Sequence, residues 1–147
     1  MNKKYGYVTL ATTKEYLKGA LFLHYSLKAV HSKYPLIVLI TEDLENEKCM
    51  AEFDEYKIIK KYKFTQLNCP TRYLDTINKF HIFDLVEYDK MIFLDSDIYI
   101  YSNIDFLLEQ YNNYKFLCDN YKPLRVNENF LPEGNLFLFT PQKNLLK

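Results

Sequence analysis

The stretch KMIFLDSDIYI, residues 90–100, decides the fold of this chain. Residues 90–94 are predicted to form a buried strand of a parallel sheet, and the strand runs into the acidic triplet Asp95-Ser96-Asp97. Side chains two residues apart point to the same side of an extended chain, so Asp95 and Asp97 are expected to converge on one hard cation, Mn²⁺ or Mg²⁺. Open α/β sheets bind ligands at the carboxyl ends of their strands. The alternative is a solvated turn, because Asp and Ser are both turn formers.

Strands and helices are predicted to alternate before this stretch. Apolar runs at 5–11 and 36–41 indicate buried strands, and residues 56–59 indicate a third. Thr12 and Glu15 have the spacing of a capping box, with Thr12 as the N-cap of the first helix. The apolar stripe of that helix follows steps of three and four residues: Tyr16, Ala20, Leu23, Leu27 and Val30.

The remaining elements complete an α/β pattern. Further helices are predicted at 43–53 and 74–87, further strands at 98–101, 114–118 and 135–140, and a short helix capped by Asn103. The alternation favours a mixed, mostly parallel sheet flanked by helices. The length of the chain and the absence of any linker predict a single domain over residues 1–147.

Composition excludes several classes of protein. Nineteen basic and nineteen acidic residues balance, which argues against a nucleic-acid binder, and the basic cluster at 57–63 is predicted to be solvated. Three scattered glycines exclude the Walker and dinucleotide-binding loops. An odd set of three cysteines predicts a reducing, cytoplasmic location. The sequence has no run of about 18 apolar residues, so no membrane anchor is predicted.

Two segments carry a family resemblance. YVTLATTKEYLKGALFLHYSLK (7–28) and, later, NKFHIFDLVEYDKMIFLDSDIYIYSNIDFLLE (78–109) resemble the glycogenin-like retaining glycosyltransferases of family 8, which have the Rossmann-like GT-A fold. The resemblance runs in order from Tyr7 to about Glu109 and continues more weakly to Pro141. It implies transfer of a glucose-like hexose from a UDP-sugar to a protein, glycan or lipid acceptor, with Mn²⁺ or Mg²⁺ assisting the departure of UDP and with retained configuration.

The resemblance also implies a set of site residues. It places uridine at the turn after the first strand, on Leu10, Thr12, Thr13 and Tyr16. It gives Lys79, and more loosely Arg72, to the diphosphate, and Ser96 to the nucleotide-sugar site. It assigns Asp95 to ribose and metal, and Asp97 to the metal. Glu133 and Gly134 occupy the approximate positions of the family's sugar pocket. For Tyr16 the alternative is core packing, and for Thr12 it is a capping role alone.

The chain departs from the family pattern in two places. Residues 132–135 read PEGN where the family has an N-[SA]-G motif, which leaves that part of the sugar pocket open. The metal-binding histidine and the D-x-x-D-Q segment of the family's C-terminal half have no counterpart before Lys147. The catalytic residue is therefore not assigned.

Two further functions are compatible with the sequence. The chain is expected either to be an enzyme or to be a truncated, non-catalytic module that binds a nucleotide-sugar or a partner, and pairing into a homodimer would cover its open edge. A haloacid-dehalogenase-like phosphatase also begins with a strand ending in D-x-D. That pattern needs Thr or Val at position 99, where this chain has Tyr99, and only 50 residues follow Asp97.

Overall fold

The computed structural model describes residues 3–62, 77–111 and 136–142, together with the backbone of residues 115–116. Six strands in these segments form one sheet: β1 (Tyr5–Ala11), β2 (Leu36–Thr41), β3 (Glu55–Ile59), β4 (Lys90–Leu94), β5 (Lys115–Phe116) and β6 (Leu136–Phe139). Their order across the sheet is β3-β2-β1-β4-β6-β5. The mixed sheet predicted from the sequence is confirmed.

The sheet has a parallel half and an antiparallel edge. Strands β3, β2, β1 and β4 run parallel, with Val8 of β1 in register with Ile37 of β2 and Phe93 of β4. Strand β6 pairs antiparallel with β4, and β5 pairs antiparallel with β6. The chain moves outward from β1 to β2 and β3 on one side and returns to β4 on the other. Such a reversal of strand order opens a crevice at the carboxyl ends of β1 and β4.

The first helix, α1 (Lys14–Ala29), begins one residue later than predicted. Its N-cap is Thr13, whose Oγ1 accepts a hydrogen bond from the backbone N of Tyr16 at 3.3 Å, so the prediction of Thr12 as the cap was wrong. The buried stripe begins at Leu17 and Tyr16 is half exposed. Steps of three and four residues both stay on one helix face, so the pattern alone did not separate Leu17 from Tyr16.

Two other predicted elements take a different form. Two short 3₁₀ helices, Glu42–Leu44 and Lys48–Glu52, replace the continuous helix predicted at 43–53, since that polar segment has few apolar residues to bury. The helix predicted at 74–87 is a 3₁₀ helix over Asn78–Asp84, and residues 74–76 lie outside the described part of the chain. The short helix predicted after Asn103 is confirmed as α2 (Asp105–Gln110), but its N-cap is Ile104, so the prediction of Asn103 as the cap was wrong. Oδ1 of Asn103 still accepts a hydrogen bond from the backbone N of Asp105 at 2.9 Å.

Residues 98–101 are not a strand, contrary to prediction. The backbone N of Ile98 donates to the carbonyl oxygen of Asp95 at 3.1 Å, which closes a turn at the acidic triplet. The alternation of side chains is nevertheless as expected for β: Ile98 and Ile100 pack inward, while Tyr99 and Tyr101 are exposed. Among the described strands, none pairs with this alternating segment.

Both faces of the sheet are covered. One apolar cluster lies between the sheet and α1, with Tyr7 and Leu23 fully buried at its centre. The second lies on the opposite face, where Phe93 and Ile82 pack between the sheet and the 3₁₀ helix Asn78–Asp84. Within the described segments, no helix has the length and apolar character needed to cross a membrane.

Candidate functional site

The carboxyl ends of β1 and β4 bring together residues that are far apart in sequence. The two strands are adjacent and parallel, with Val8 opposite Phe93. Continuing this register by two residues sets Leu10 opposite Asp95, and Leu10 is almost fully buried. The first turn of α1 and the acidic triplet therefore border the same crevice.

Lys79 and Asp95 form an ion pair in this crevice. The Nζ atom of Lys79 lies 2.8 Å from Oδ1 of Asp95 and 5.0 Å from the centre of the Phe93 ring. The lysine comes from the 3₁₀ helix Asn78–Asp84, which Ile82 anchors against the sheet. Burial raises the pKa of Asp95, the hydrogen bond and charge of Lys79 lower it, and the negative charge of Asp97 raises it, with a net upward shift.

The acidic triplet is a tight turn and not an extended segment. Ser96 is buried and Asp97 is exposed. The expectation that Asp95 and Asp97 converge because the chain is extended was therefore wrong in its premise, and the turn predicted as the alternative is the conformation observed. Burial is the main cause of the raised pKa of Asp95, and the negative charge of Asp97 adds to it. A turn of this kind is compatible with binding, because Asp97 is open to solvent.

Helix α1 lies directly against this turn at Gly19. A Cβ atom added at Gly19 would lie 2.4 Å from the carbonyl oxygen of Ser96, a distance that real Cβ atoms do not adopt. Further along the helix, Oγ of Ser26 accepts a hydrogen bond from the backbone N of Ile100 at 3.1 Å. The segment after the turn therefore runs alongside α1. Gly19 and Ser26 both lie in the segment 7–28 that carries the family resemblance, but no local pattern predicted their contacts with Ser96 and Ile100.

The buried carboxylate of Asp105 holds the end of the segment that follows the acidic turn. Oδ1 of Asp105 accepts hydrogen bonds from the Tyr7 hydroxyl and the Ser32 hydroxyl, each at 2.7 Å. Oδ2 accepts from the backbone N of Lys33 at 3.0 Å and from Nδ2 of Asn103 at 3.1 Å. Burial raises the pKa of Asp105, but these donors outweigh it and hold the pKa below its usual range. Asp105 thus joins β1, the loop after α1 and the start of α2.

The residues expected around uridine lie at the start of α1. Thr12 is buried, Thr13 caps the helix, and Tyr16 is 50% exposed in its first turn. Core packing is therefore not the role of Tyr16, and capping is not the role of Thr12. An exposed ring at the edge of the crevice is available to stack on a flat base.

Three expected site residues are not placed. Arg72, Glu133 and Gly134 lie outside the described part of the chain, so their assignments stay predictions. His24 lies in the C-terminal half of α1, and His31 follows the end of that helix. His81 contacts the Lys60 carbonyl oxygen at 2.8 Å and Asp84 at 3.4 Å.

The described carboxylates fit a cation that is shared with a ligand. Across the described segments, no group of three or more His, Cys, Asp or Glu side chains is placed to hold a metal ion. Asp95 and Asp97 supply oxygen donors, the type that Mg²⁺ and Mn²⁺ prefer. Mg²⁺ in proteins commonly has one or two carboxylate ligands and completes its coordination with water and substrate phosphates. The pair therefore suits a metal bound together with a phosphorylated ligand.

A separate cavity of about 740 Å³ lies at the ends of β2 and β3. Tyr62 and His81 stack in its wall with ring centres 4.3 Å apart and planes 8° from parallel. Lys60 and Lys61 also line it, and both are exposed, as predicted. The cavity is displaced along the sheet edge from the crevice between β1 and β4.

The mixed, mostly parallel sheet with helices on both faces is the Rossmann-like architecture of the GT-A glycosyltransferase fold. Residues 7–130 match the model of glycosyl transferase family 8, and the chain belongs to that family. The family match overturns the haloacid-dehalogenase alternative.

Several known proteins are similar to this chain. Galactinol synthase 2 of Arabidopsis thaliana is 34% identical over 114 residues, which cover 73% of this chain and 34% of that protein. Glucose N-acetyltransferase 1 of Candida albicans is 34% identical over 116 residues, covering 70% of this chain and 25% of that protein. The chain thus spans about a third or less of the length of these curated relatives.

A solved structure shares the fold. The glycosyltransferase GlyE of Streptococcus pneumoniae TIGR4 aligns with a TM-score of 0.57 at 20% sequence identity, covering 97% of this chain and 36% of GlyE. Its apo form aligns with a TM-score of 0.55 at 19% identity. At this level of identity the likeness concerns the fold alone.

Proposed function

We propose that this chain supplies the donor-binding part of a retaining glycosyltransferase that uses a UDP-hexose and a divalent cation. The single observation that carries the proposal is the Lys79–Asp95 pair beside Asp97, at the crevice between β1 and β4. Opposite charges are held there at the edge of the sheet where α/β folds bind ligands. Family membership supports the reaction class, and the oxygen donors of the turn support the cation.

Each residue has a distinct role in the proposed donor complex. Tyr16 stacks on the uracil ring, and Leu10, Thr12 and Thr13 form the floor beneath the nucleoside. Lys79 binds the diphosphate, where its charge offsets the negative charge that develops on departing UDP. Asp95 and Asp97 would hold Mn²⁺ or Mg²⁺, which when bound supplies further charge neutralisation on the leaving group.

The acceptor and the complete active site are part of the same proposal. Ser96, Arg72, Glu133 and Gly134 are proposed to complete contacts to the nucleotide-sugar, and the acceptor is a protein, a glycan or a lipid. The alternative is a module that binds the donor without transferring sugar. Residues 1–147 are proposed to act as one domain, either alone or as a homodimer.

Binding and turnover separate these two possibilities. Thermal unfolding of the pure chain should shift upward with UDP and Mn²⁺ together, and less with ADP, GDP or either component alone. Release of UDP from UDP-glucose, followed over hours, then reports whether the bound donor reacts. Binding without release favours the non-catalytic module. Equal shifts with all three nucleotides would contradict a uridine-specific donor site.

A further inference from the structure

The Lys79 ammonium forms an ion pair with Asp95, the carboxylate that a divalent cation would need as a ligand. Its Nζ atom lies 2.8 Å from Oδ1 of Asp95, which is hydrogen-bonding distance for a charged pair. The side chains of Lys79 and Asp95 are only 30% and 23% exposed, so water screens their interaction less than at an open surface. A divalent ion on either oxygen of Asp95 would lie within a few ångströms of the ammonium, and the two positive charges would repel each other.

We propose that Lys79 is a built-in counterion that competes with the divalent cation for Asp95 and is released when a nucleotide diphosphate arrives. The inference rests on the proposed function, because it needs the cation site at Asp95 and Asp97. Without nucleotide, the lysine neutralises the carboxylate and keeps the cation affinity low. With nucleotide, phosphate oxygens replace Asp95 as the partner of the ammonium, and Asp95 becomes available to the metal.

The surroundings of Lys79 allow this exchange with a side-chain movement alone. Ile82 is buried against the sheet, and Oδ1 of Asn78 accepts a hydrogen bond from the backbone N of Tyr62 at 2.9 Å, so the backbone of the 3₁₀ helix is anchored on both sides of the lysine. The ammonium lies 5.0 Å from the centre of the Phe93 ring. This favourable contact with the ring face does not depend on Asp95. The partly exposed side chain of Lys79 can therefore rotate from the Asp95 carboxylate to a phosphate while the backbone stays in place.

The exchange makes nucleotide and cation bind cooperatively. Each ligand removes one partner from the Lys79–Asp95 pair and leaves the other partner free for the second ligand. A coupling of this kind is reciprocal, so the factor by which UDP raises Mn²⁺ affinity equals the factor by which Mn²⁺ raises UDP affinity. Part of that factor comes from Lys79, and it adds to any direct contact between metal and phosphate.

The test measures Mn²⁺ binding to the whole chain from the electron paramagnetic resonance signal of the free ion, with and without UDP. The test variant is Lys79→Met, which keeps an unbranched stem and removes the charge. The matched control is Lys57→Met, since Lys57 pairs with Glu87 in an ion pair away from the crevice. A third variant, Lys79→Arg, retains the positive charge.

The expected result is a tighter Mn²⁺ complex for Lys79→Met without nucleotide, by roughly three- to tenfold over the wild type and the Lys57→Met control. The gain in Mn²⁺ affinity on adding UDP should shrink in Lys79→Met by the same factor, and Lys79→Arg should resemble the wild type. Unchanged or weaker Mn²⁺ binding in Lys79→Met overturns the inference, as does an equal gain in Lys57→Met.

Failure of the proposed function gives a different pattern. If wild-type chain binds UDP with Mn²⁺ but Lys79→Met shows no gain, only the counterion role is wrong. If no variant binds Mn²⁺ even with UDP present, the cation site itself is wrong, and both the inference and the metal-assisted donor site are refuted.

Discussion

Gly19 of α1 and Ser96 of the acidic turn touch through their backbones, and a single added Cβ atom would lie 2.4 Å from the Ser96 carbonyl oxygen. The contact sets how closely the helix approaches the turn that holds Asp95 and Asp97. Glycine usually costs about 1 kcal/mol inside a helix relative to alanine. Its presence in α1 is explained by the space that the turn requires.

Substituting Gly19 by alanine should therefore damage the site although alanine favours helix. The methyl group meets backbone, so the turn or the helix must shift, at an expected net cost of about 1–3 kcal/mol in the free energy of unfolding. We expect Mn²⁺-dependent UDP binding to weaken at least tenfold while the chain stays folded. Urea unfolding and calorimetry measure the two effects.

Gly6→Ala is the matched control for this change. A Cβ atom at Gly6 would lie 2.9 Å from a side-chain carbon of Tyr88, in the amino-terminal half of β1 and away from the turn. It should also lower stability, but it should leave UDP binding intact in the folded fraction. Equal losses of UDP affinity in both variants would show that the Gly19 contact has no special link to the site.

Tyr16 should matter for nucleotide affinity and little for stability. Its ring is half exposed at the start of α1, so Tyr16→Ala should change the free energy of unfolding by no more than about 0.5 kcal/mol. Stacking of an aromatic ring on a base contributes about 1–3 kcal/mol, so UDP affinity should fall roughly five- to 150-fold. Phe22→Ala, a more exposed aromatic residue on the same helix, should leave UDP affinity unchanged. Identical affinities in wild type and Tyr16→Ala would remove Tyr16 from the uridine site.

Asp105 should dominate the stability of the segment behind the site. Its carboxylate is buried and accepts hydrogen bonds from the Tyr7 and Ser32 hydroxyls, the backbone N of Lys33 and the Asn103 amide. Asp105→Ala leaves these donors unpaired, so a loss of about 3 kcal/mol is expected in urea unfolding. Tyr7→Phe removes one donor and should cost about 1–2 kcal/mol. A smaller loss for Asp105→Ala than for Tyr7→Phe would contradict this ranking.

The same carboxylate should give the fold an acid-sensitive component. The pKa of Asp105 in the folded chain lies below its ordinary value of 3.8, so folding favours the ionised form. Ionised Asp105 therefore makes its full contribution to the stability of the fold at pH values above its ordinary pKa. This contribution is lost as the pH falls through the lower pKa of the folded chain. Urea midpoints measured from pH 6 to pH 3 should therefore fall less steeply in Asp105→Asn than in the wild type. Glu45→Gln, at an exposed carboxylate, should follow the wild-type curve.

Strands were more predictable than helices because a fully buried strand is an unbroken run of apolar residues in the sequence. β1, β2 and β4 were predicted from their apolar runs, and every residue of β2 and β4 is buried. The helix predicted at 43–53 failed, because a polar segment carries no marker that separates a full helix from isolated 3₁₀ turns. Its form depends on neighbours that the local sequence does not contain.

Residues 98–101 show how a correct pattern gave a wrong element. The alternation of Ile and Tyr predicted which side chains face inward, and Ile100 is buried while Tyr101 is exposed. A strand also needs a partner for its backbone. Here the backbone N of Ile100 bonds instead to Oγ of Ser26, on a helix more than 70 residues earlier in the chain. No local signal at position 100 points to that serine.

The family was predictable from the sequence and Asp95 and Asp97 could be proposed as site residues, but the contacts of the candidate site were not predictable. Asp95 and Asp97 stood out because two carboxylates follow a buried strand. The contacts of Asp95 with Lys79, and of Ser96 with Gly19, join different elements and depend on the assembled sheet. The resemblance named Lys79 as a partner of the diphosphate, and in the structure its ammonium pairs with Asp95.

Calorimetric titration of UDP into the pure chain, with Mn²⁺ and with a chelator, measures whether the nucleotide binds through a divalent cation. Repeating it with Asp97→Ala measures whether that cation is held by the acidic turn. Asp97 is exposed in the turn, so its loss should not unfold the chain, and Asp43→Ala provides an exposed acidic control at the end of β2. We expect Mn²⁺-dependent binding in the wild type and in Asp43→Ala, and its loss in folded Asp97→Ala. Equal UDP binding by Asp97→Ala and wild type, or binding unaffected by the chelator, would contradict this expectation.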